Sequence, residues 1–177
     1  IDDDAYPLKK DWVRTLQKTF EDKEIAAAGG DIIAVWPDKS APKWIPKTLY
    51  SIFTITNFKY KKNEVTSYPK YPWGANIAFR KEYLKDIEKP FDLLLSRTGK
   101  GLNSGDDCSL CAKLESKGYN ISYVTEACVK HKIQEERLRL RWIIKSAKAR
   151  GQSEAIFEKK YFNNGKRKLS LIRRSLI

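Results

Sequence analysis

The feature that most limits the fold lies between Asp107 and Val124, where the apolar period changes from helical to extended within a few residues. Asp107, Leu110, Cys111 and Leu114 fall at i, i+3, i+4 and i+7 and so share one helix face. Gly118 stops that helix, and residues 121–124 follow as a strand. The same alternation runs along the chain. Residues 8–20 read as a helix after Pro7, with Trp12, Leu16 and Phe20 on its apolar face. Residues 26–36 read as strand material, punctuated by Gly29-Gly30 and stopped by Pro37. Residues 47–58 form a helix or an apolar cover, residues 73–79 a strand, 80–87 a short helix and 134–150 a longer one. Residues 59–71 and 88–104 read as irregular, the first as a mobile loop. The expected class is α/β, with no internal repeat.

A chain of 177 residues with 41% hydrophobic content can bury one good core. It contains no apolar run long enough to cross a bilayer and no secretory signal pattern. It starts at Ile1 and has no Met, so a fragment or processed product is expected. Three cysteines are too few for a disulfide framework and suit a reducing cytoplasm. The net charge of +13 is uneven, because residues 130–177 hold fifteen Lys/Arg against four Glu and account for +11 of it. Acidic lipid, nucleic acid or a phosphorylated ligand would suit such a tail.

All three cysteines and the single histidine fall between Cys108 and His131. Cys108-x-x-Cys111 with Cys128-x-x-His131 has the ligand types of a zinc site. Zinc knuckles, however, present paired cysteines from tight turns, whereas this pair sits in a helix, where Cys111 fills core beside two leucines. The helical reading also turns Asp107 inward and Asp106 about 100° away from it. Asp at the start of an apolar helix is commonly a cap. An inward acid preceded by Gly105, which lets a ligand approach the backbone, is also a candidate base. At the front of the chain, Asp2-Asp3-Asp4 precedes Ala5-Tyr6-Pro7. Clustered carboxylates repel unless a cation offsets them, and hard oxygen ligands suit Mg²⁺ or Mn²⁺. A solvated acidic turn is the alternative.

Taken together, Ile-Asp-Asp-Asp-Ala-Tyr-Pro at residues 1–7, Trp-Gly-Ala-Asn-Ile-Ala-Phe-Arg at 73–80, the run from Ser104 to Val124, and His131 resemble family-2 glycosyltransferases. The resemblance covers residues 1–155 and is most specific from Gly74 to His131. It implies an inverting enzyme with a GT-A-like mixed sheet flanked by helices, lacking the N-terminal βα units that hold the nucleotide base. Asp4 then matches the metal ligand of an Asp-x-Asp motif, with Asp2 assisting and His131 closing the metal or diphosphate site. Asp107 matches the catalytic base. Asp3, Trp73, Gly74, Ala75, Asn76, Gly105 and Asp106 match donor- and acceptor-binding positions.

The resemblance further implies a divalent metal, Mn²⁺ or Mg²⁺, and a nucleotide-sugar donor, most commonly a UDP-sugar. The implied acceptor is a saccharide or lipid-linked hydroxyl of the cell envelope. Asp106 stands where the family usually has Glu. Leu138 stands where processive members carry the Gln of a Gln-x-x-Arg-Trp motif, which implies single additions. With no upstream units, the isolated fragment is expected to be inactive.

The tail at 156–177 reads as a separate basic amphipathic segment suited to an anionic membrane surface, which makes the expected location cytoplasmic and peripheral at the inner face of the membrane. A competing reading is a non-catalytic module that binds nucleic acid and carries a structural Cys3His zinc site. The glycosyltransferase reading expects no nucleic-acid partner, and the lack of turn residues between Cys108 and Cys111 favours it.

Overall fold

The computed structural model describes residues 1–56, 64–85, 87–97 and 101–162. Residues 59–63 of the expected 59–71 loop and most of the basic tail therefore lie outside the described residues. The rest of that stretch is not a mobile loop, since residues 64–66 pair as a strand with residues 121–123 and Tyr71 is fully buried in the core.

Two small mixed sheets carry the fold. The first has the strand order β4-β6-β2-β5, with β2 (Ile25–Gly29), β4 (Glu64–Thr66), β5 (Ile77–Phe79) and β6 (Asn120–Tyr123). Strand β2 runs parallel to β6 and antiparallel to β5, and β4 runs antiparallel to β6. Every residue of β2 is buried, and its Ile-Ala-Ala-Ala-Gly sequence is the small-residue kind that lets helices approach both faces of a central strand. On one face, α1 (Trp12–Thr19) packs Leu16 against Ile25, Ala28 and Val124. On the other, α3 (Asp106–Ser116) and α4 (Leu140–Tyr161) bury Leu110, Cys111, Leu114 and Phe157 against Ala26, Ala27 and Ile121. The short α2 (Lys81–Leu84) follows β5. The fold is thus mixed α/β with helix-flanked sheets, as a partial GT-A-like domain would have.

The second sheet has the order β1-β7-β3, with β1 (Ala5–Pro7), β3 (Ile32–Val35) and β7 (Val129–Lys132). Residues 26–36, expected as one stretch, are split between the sheets at Gly29-Gly30. An added Cβ at Gly29 would stand 2.1 Å from the Asn76 carbonyl oxygen, and one at Gly30 2.1 Å from that of Val124. The chain changes sheets where two backbones pass too closely for any side chain.

Other departures have equally local causes. Helix α1 begins four residues later than expected, because Ala5–Pro7 pairs with β7 and the Leu8 N–H donates to the Cys128 carbonyl. Residues 74–76 form a 3-10 turn ahead of β5, not the start of a strand, and residues 47–53 form a 3-10 helix. Helix α4 continues unbroken past residue 155 to Tyr161, where Phe157, Tyr161 and Phe162 pack with Tyr68.

One side chain joins these parts. Asn76 is fully buried and its Nδ2 donates to the carbonyls of Asp31 (3.0 Å) and Ala127 (2.6 Å). Its Oδ1 accepts from Trp12 Nε1 at 3.1 Å. Gly29→Ala should force this junction apart and lower unfolding free energy by about 3 kcal/mol or more. Urea denaturation of the variant beside Gly151→Ala, a helical position where nothing lies within 4 Å of an added Cβ, measures that effect.

Candidate active site

Helix α3 starts on Gly105, whose φ of 114° is the left-handed conformation that glycine adopts without strain. That start delivers Asp107 to the helix's first turn, facing the 74–76 turn. Asp107 Oδ2 accepts from the Gly74 N–H at 2.5 Å, and Oδ1 accepts from the Cys108 N–H at 2.8 Å. An added Cβ at Gly74 would lie 3.3 Å from Asp107 Oδ2, so the missing side chain there makes room for the carboxylate. Burial raises the Asp107 pKa above its ordinary 3.8, reinforced by the nearby charge of Asp106 and opposed by the two backbone N–H groups. The helix N-terminus alone would favour ionisation; desolvation outweighs it. Asp106 points elsewhere, as the helix arithmetic expects, and accepts from Ser96 Oγ at 3.2 Å.

The second group of acids assembles around His131 on β7. Its Nδ1 lies 3.1 Å from the Phe53 carbonyl oxygen, which can only accept, so Nδ1 carries a proton there. Nε2 then faces Asp4 Oδ1 at 3.0 Å, while Arg137 holds the other Asp4 oxygen at 3.2 Å. The Lys132 N–H donates to the Asp4 carbonyl and fixes this turn beside β7. Asp2 completes a set whose ligand atoms all lie within 4.8 Å of one another. An imidazole nitrogen and a carboxylate oxygen facing each other need a proton or a cation between them. Their 3.0 Å separation matches the roughly 3 Å spacing of adjacent octahedral ligands at about 2.1 Å from Mg²⁺ or a similar ion. Two carboxylates and an imidazole suit Mn²⁺ or Mg²⁺, and the Phe53 carbonyl is the outer partner that such a histidine usually has. The residues fit the group.

Both groups reach one cavity of about 680 Å³. Asp2, His131, Asp106, Asp107 and Gly105 line it, as do Trp73, Gly74 and Ala75. Asp3 is exposed and does not line the cavity, and Asn76 stands behind the wall with its amide fully engaged. Among the described residues the cysteines do not gather with His131. Cys111 is fully buried in the α3 core, and all three are free thiols held well protonated by burial.

The lining also includes Lys47, Arg97, Arg137 and Arg150, none of which the sequence reading selected. Arg150 donates to the Ser51 carbonyl at 2.5 Å, and its guanidinium carbon lies 4.8 Å from the Trp73 ring centre. A signal for it existed: Ile143, Arg150 and Phe157 are seven residues apart, on the buried stripe of α4. An arginine on such a stripe is costly unless it is used. No comparable signal existed for Arg137, whose alternation with leucines resembles a solvated segment.

Comparison with curated proteins finds similarity to a glucosyl-dolichyl phosphate glucuronosyltransferase of Haloferax volcanii, 26% identical over 165 residues. The similarity is to a glycosyltransferase. The alignment takes in 91% of this chain, which spans about half (50%) of the length of that relative. No protein-family model and no solved structure matches the chain. No helix among the described residues is long and apolar enough to cross a membrane.

Titration calorimetry with Mn²⁺ should show one divalent ion bound per chain. Asp4→Asn, which keeps shape but removes charge, should weaken that binding about tenfold or more, whereas Asp3→Asn should leave it unchanged.

Proposed function

We propose that this chain carries the metal and acceptor side of a glycosyltransferase that moves a sugar from a nucleotide-sugar donor, a UDP-sugar first among the class, to an acceptor hydroxyl with inversion. The observation that carries the reading is that an inward carboxylate, Asp107, lines the same cation-lined cavity as Asp2 and His131, which with Asp4 beside them form a hard-metal ligand set. The printed activity of the Haloferax relative, a transfer involving glucosyl-dolichyl phosphate, supports a lipid-linked acceptor in cell-envelope or glycolipid synthesis. Such an acceptor suits a peripheral position at the cytoplasmic membrane face. Leu138 supports single additions.

The chemistry follows from the charges. Asp107 removes the proton from the acceptor hydroxyl while that oxygen bonds to the anomeric carbon. The bond from that carbon to the diphosphate oxygen breaks, and the electron pair leaves with the diphosphate. When bound, the divalent ion supplies Lewis-acid neutralisation of the leaving group, and Asp2, Asp4 and His131 are the residues that hold it. Lys47, Arg97 and Arg150 offer further positive charge in the cavity, preorganised by contacts such as that of Arg150 to Ser51. The Gly74 and Cys108 N–H groups hold the Asp107 carboxylate in place, so its remaining lone pairs are the ones that take the proton.

In this chain, or a longer form that carries it, Asp107→Asn should reduce transfer by about 10³-fold and leave metal-dependent donor binding intact. Loss of both would remove Asp107 from the role of base.

The pH profile gives an independent check. A base works deprotonated, and the Asp107 pKa is raised, so activity is present above the raised value and lost as pH falls through it. The acid limb of kcat/KM should therefore lie above 3.8, and a limb at or below that value contradicts the assignment.

A further inference from the structure

The segment beside the cavity places three large apolar side chains in water within four residues. Leu93 is 75% exposed, Leu94 62% and Phe91 51%. Such a cluster in one short loop normally marks a contact surface. Its frame is rigid. Between the exposed positions, Asp92 is buried and accepts from Lys160 Nζ (2.6 Å), Tyr161 Oη (3.2 Å) and the Leu94 N–H (3.1 Å). Leu95 is fully buried immediately after them. Asp92 and Leu95 anchor the loop so that Phe91, Leu93 and Leu94 are held outward.

The surroundings indicate what covers this tip. Lys113 Nζ donates to the Lys89 carbonyl at 2.6 Å, and Lys160 reaches Asp92 from α4 in an ion pair, so the ammonium groups of Lys113 and Lys160 border the apolar residues, with the exposed Lys89 next to them in the chain. Glu88 is the exposed acid on the same stretch. An apolar tip with ammonium groups at its border matches the interfacial zone of an anionic bilayer, where side chains enter the acyl boundary and lysines meet the headgroups. A second copy of the chain would instead bring like charges together.

The tip is also tied to the cavity. Asn103, on the cavity wall, donates to the Leu94 carbonyl at 3.1 Å. Ser96 Oγ bridges the Asp92 carbonyl at 3.0 Å and the Asp106 carboxylate at 3.2 Å.

We propose that Phe91, Leu93 and Leu94 form a membrane-docking tip that seats the cavity mouth on an anionic phospholipid surface. The proposal rests on the lipid-linked acceptor reading only for its purpose, and its test involves no acceptor. Vesicles of phosphatidylcholine with and without phosphatidylglycerol, free of any polyprenyl lipid, are sedimented with the protein. The wild-type chain should bind the anionic vesicles. The triple variant F91S/L93S/L94S should bind roughly tenfold or more weakly, with its thermal unfolding midpoint unchanged. Because these side chains are largely exposed, folding should survive; if the triple variant unfolds, Leu93→Ser alone should still weaken binding severalfold. Equal binding by wild type and variant, or no binding by wild type, overturns the proposal. So does wild-type self-association that the variant abolishes, which would assign the tip to a second copy. None of these outcomes bears on sugar transfer, which the Asp107→Asn experiment tests separately.

Discussion

The arrangement depends on the buried carboxamide of Asn76. Its three hydrogen bonds connect α1, the crossing from β2 to β3 and the approach to β7, which otherwise belong to two separate sheets. A buried amide left unmatched costs several times what a matched one contributes, so such a tie is close to all-or-none. It also fixes the 74–76 turn, and with it the Gly74 N–H that holds Asp107. The geometry of the candidate base is thus set by a residue that lies outside the cavity.

The ligand set around His131 is built on the same economy. The polar sequence Val-Lys-His-Lys gives little sign of a central strand, yet β7 is flanked by β1 and β3, and His131 is 1% exposed. A histidine so placed satisfies Nδ1 on the Phe53 carbonyl and directs Nε2 toward the acids. Phe53 is in turn held by the stacked Trp142 and the edge-on Trp36. The orientation of one ring nitrogen therefore traces back to aromatic packing.

What could be read from residue order was local. The 3.6-residue stripe of α3 correctly turned Asp107 inward and assigned Cys111 to the core, because both statements need only the geometry of one helix. The break at Gly29-Gly30 was visible as punctuation. Its meaning, a change of sheet, depends on where Asn76 and Val124 come to lie. Arg137 and Asp4 are 133 residues apart, and no periodicity encodes such a pair. The strand β1 was missed because a three-residue edge strand that ends in a proline leaves almost no pattern. Asp2 and Asp107, distant in the chain, line one cavity, a convergence that no local pattern encodes.

Helix α4 has 22 residues, a rod of about 33 Å at 1.5 Å per residue. Near its start Trp142 stacks on Phe53, in its middle Arg150 lies over Trp73, and at its end Lys160 holds Asp92. A rod fastened along its length gives the cavity wall and the exposed loop one common support, so neither is held in place by loop backbone alone.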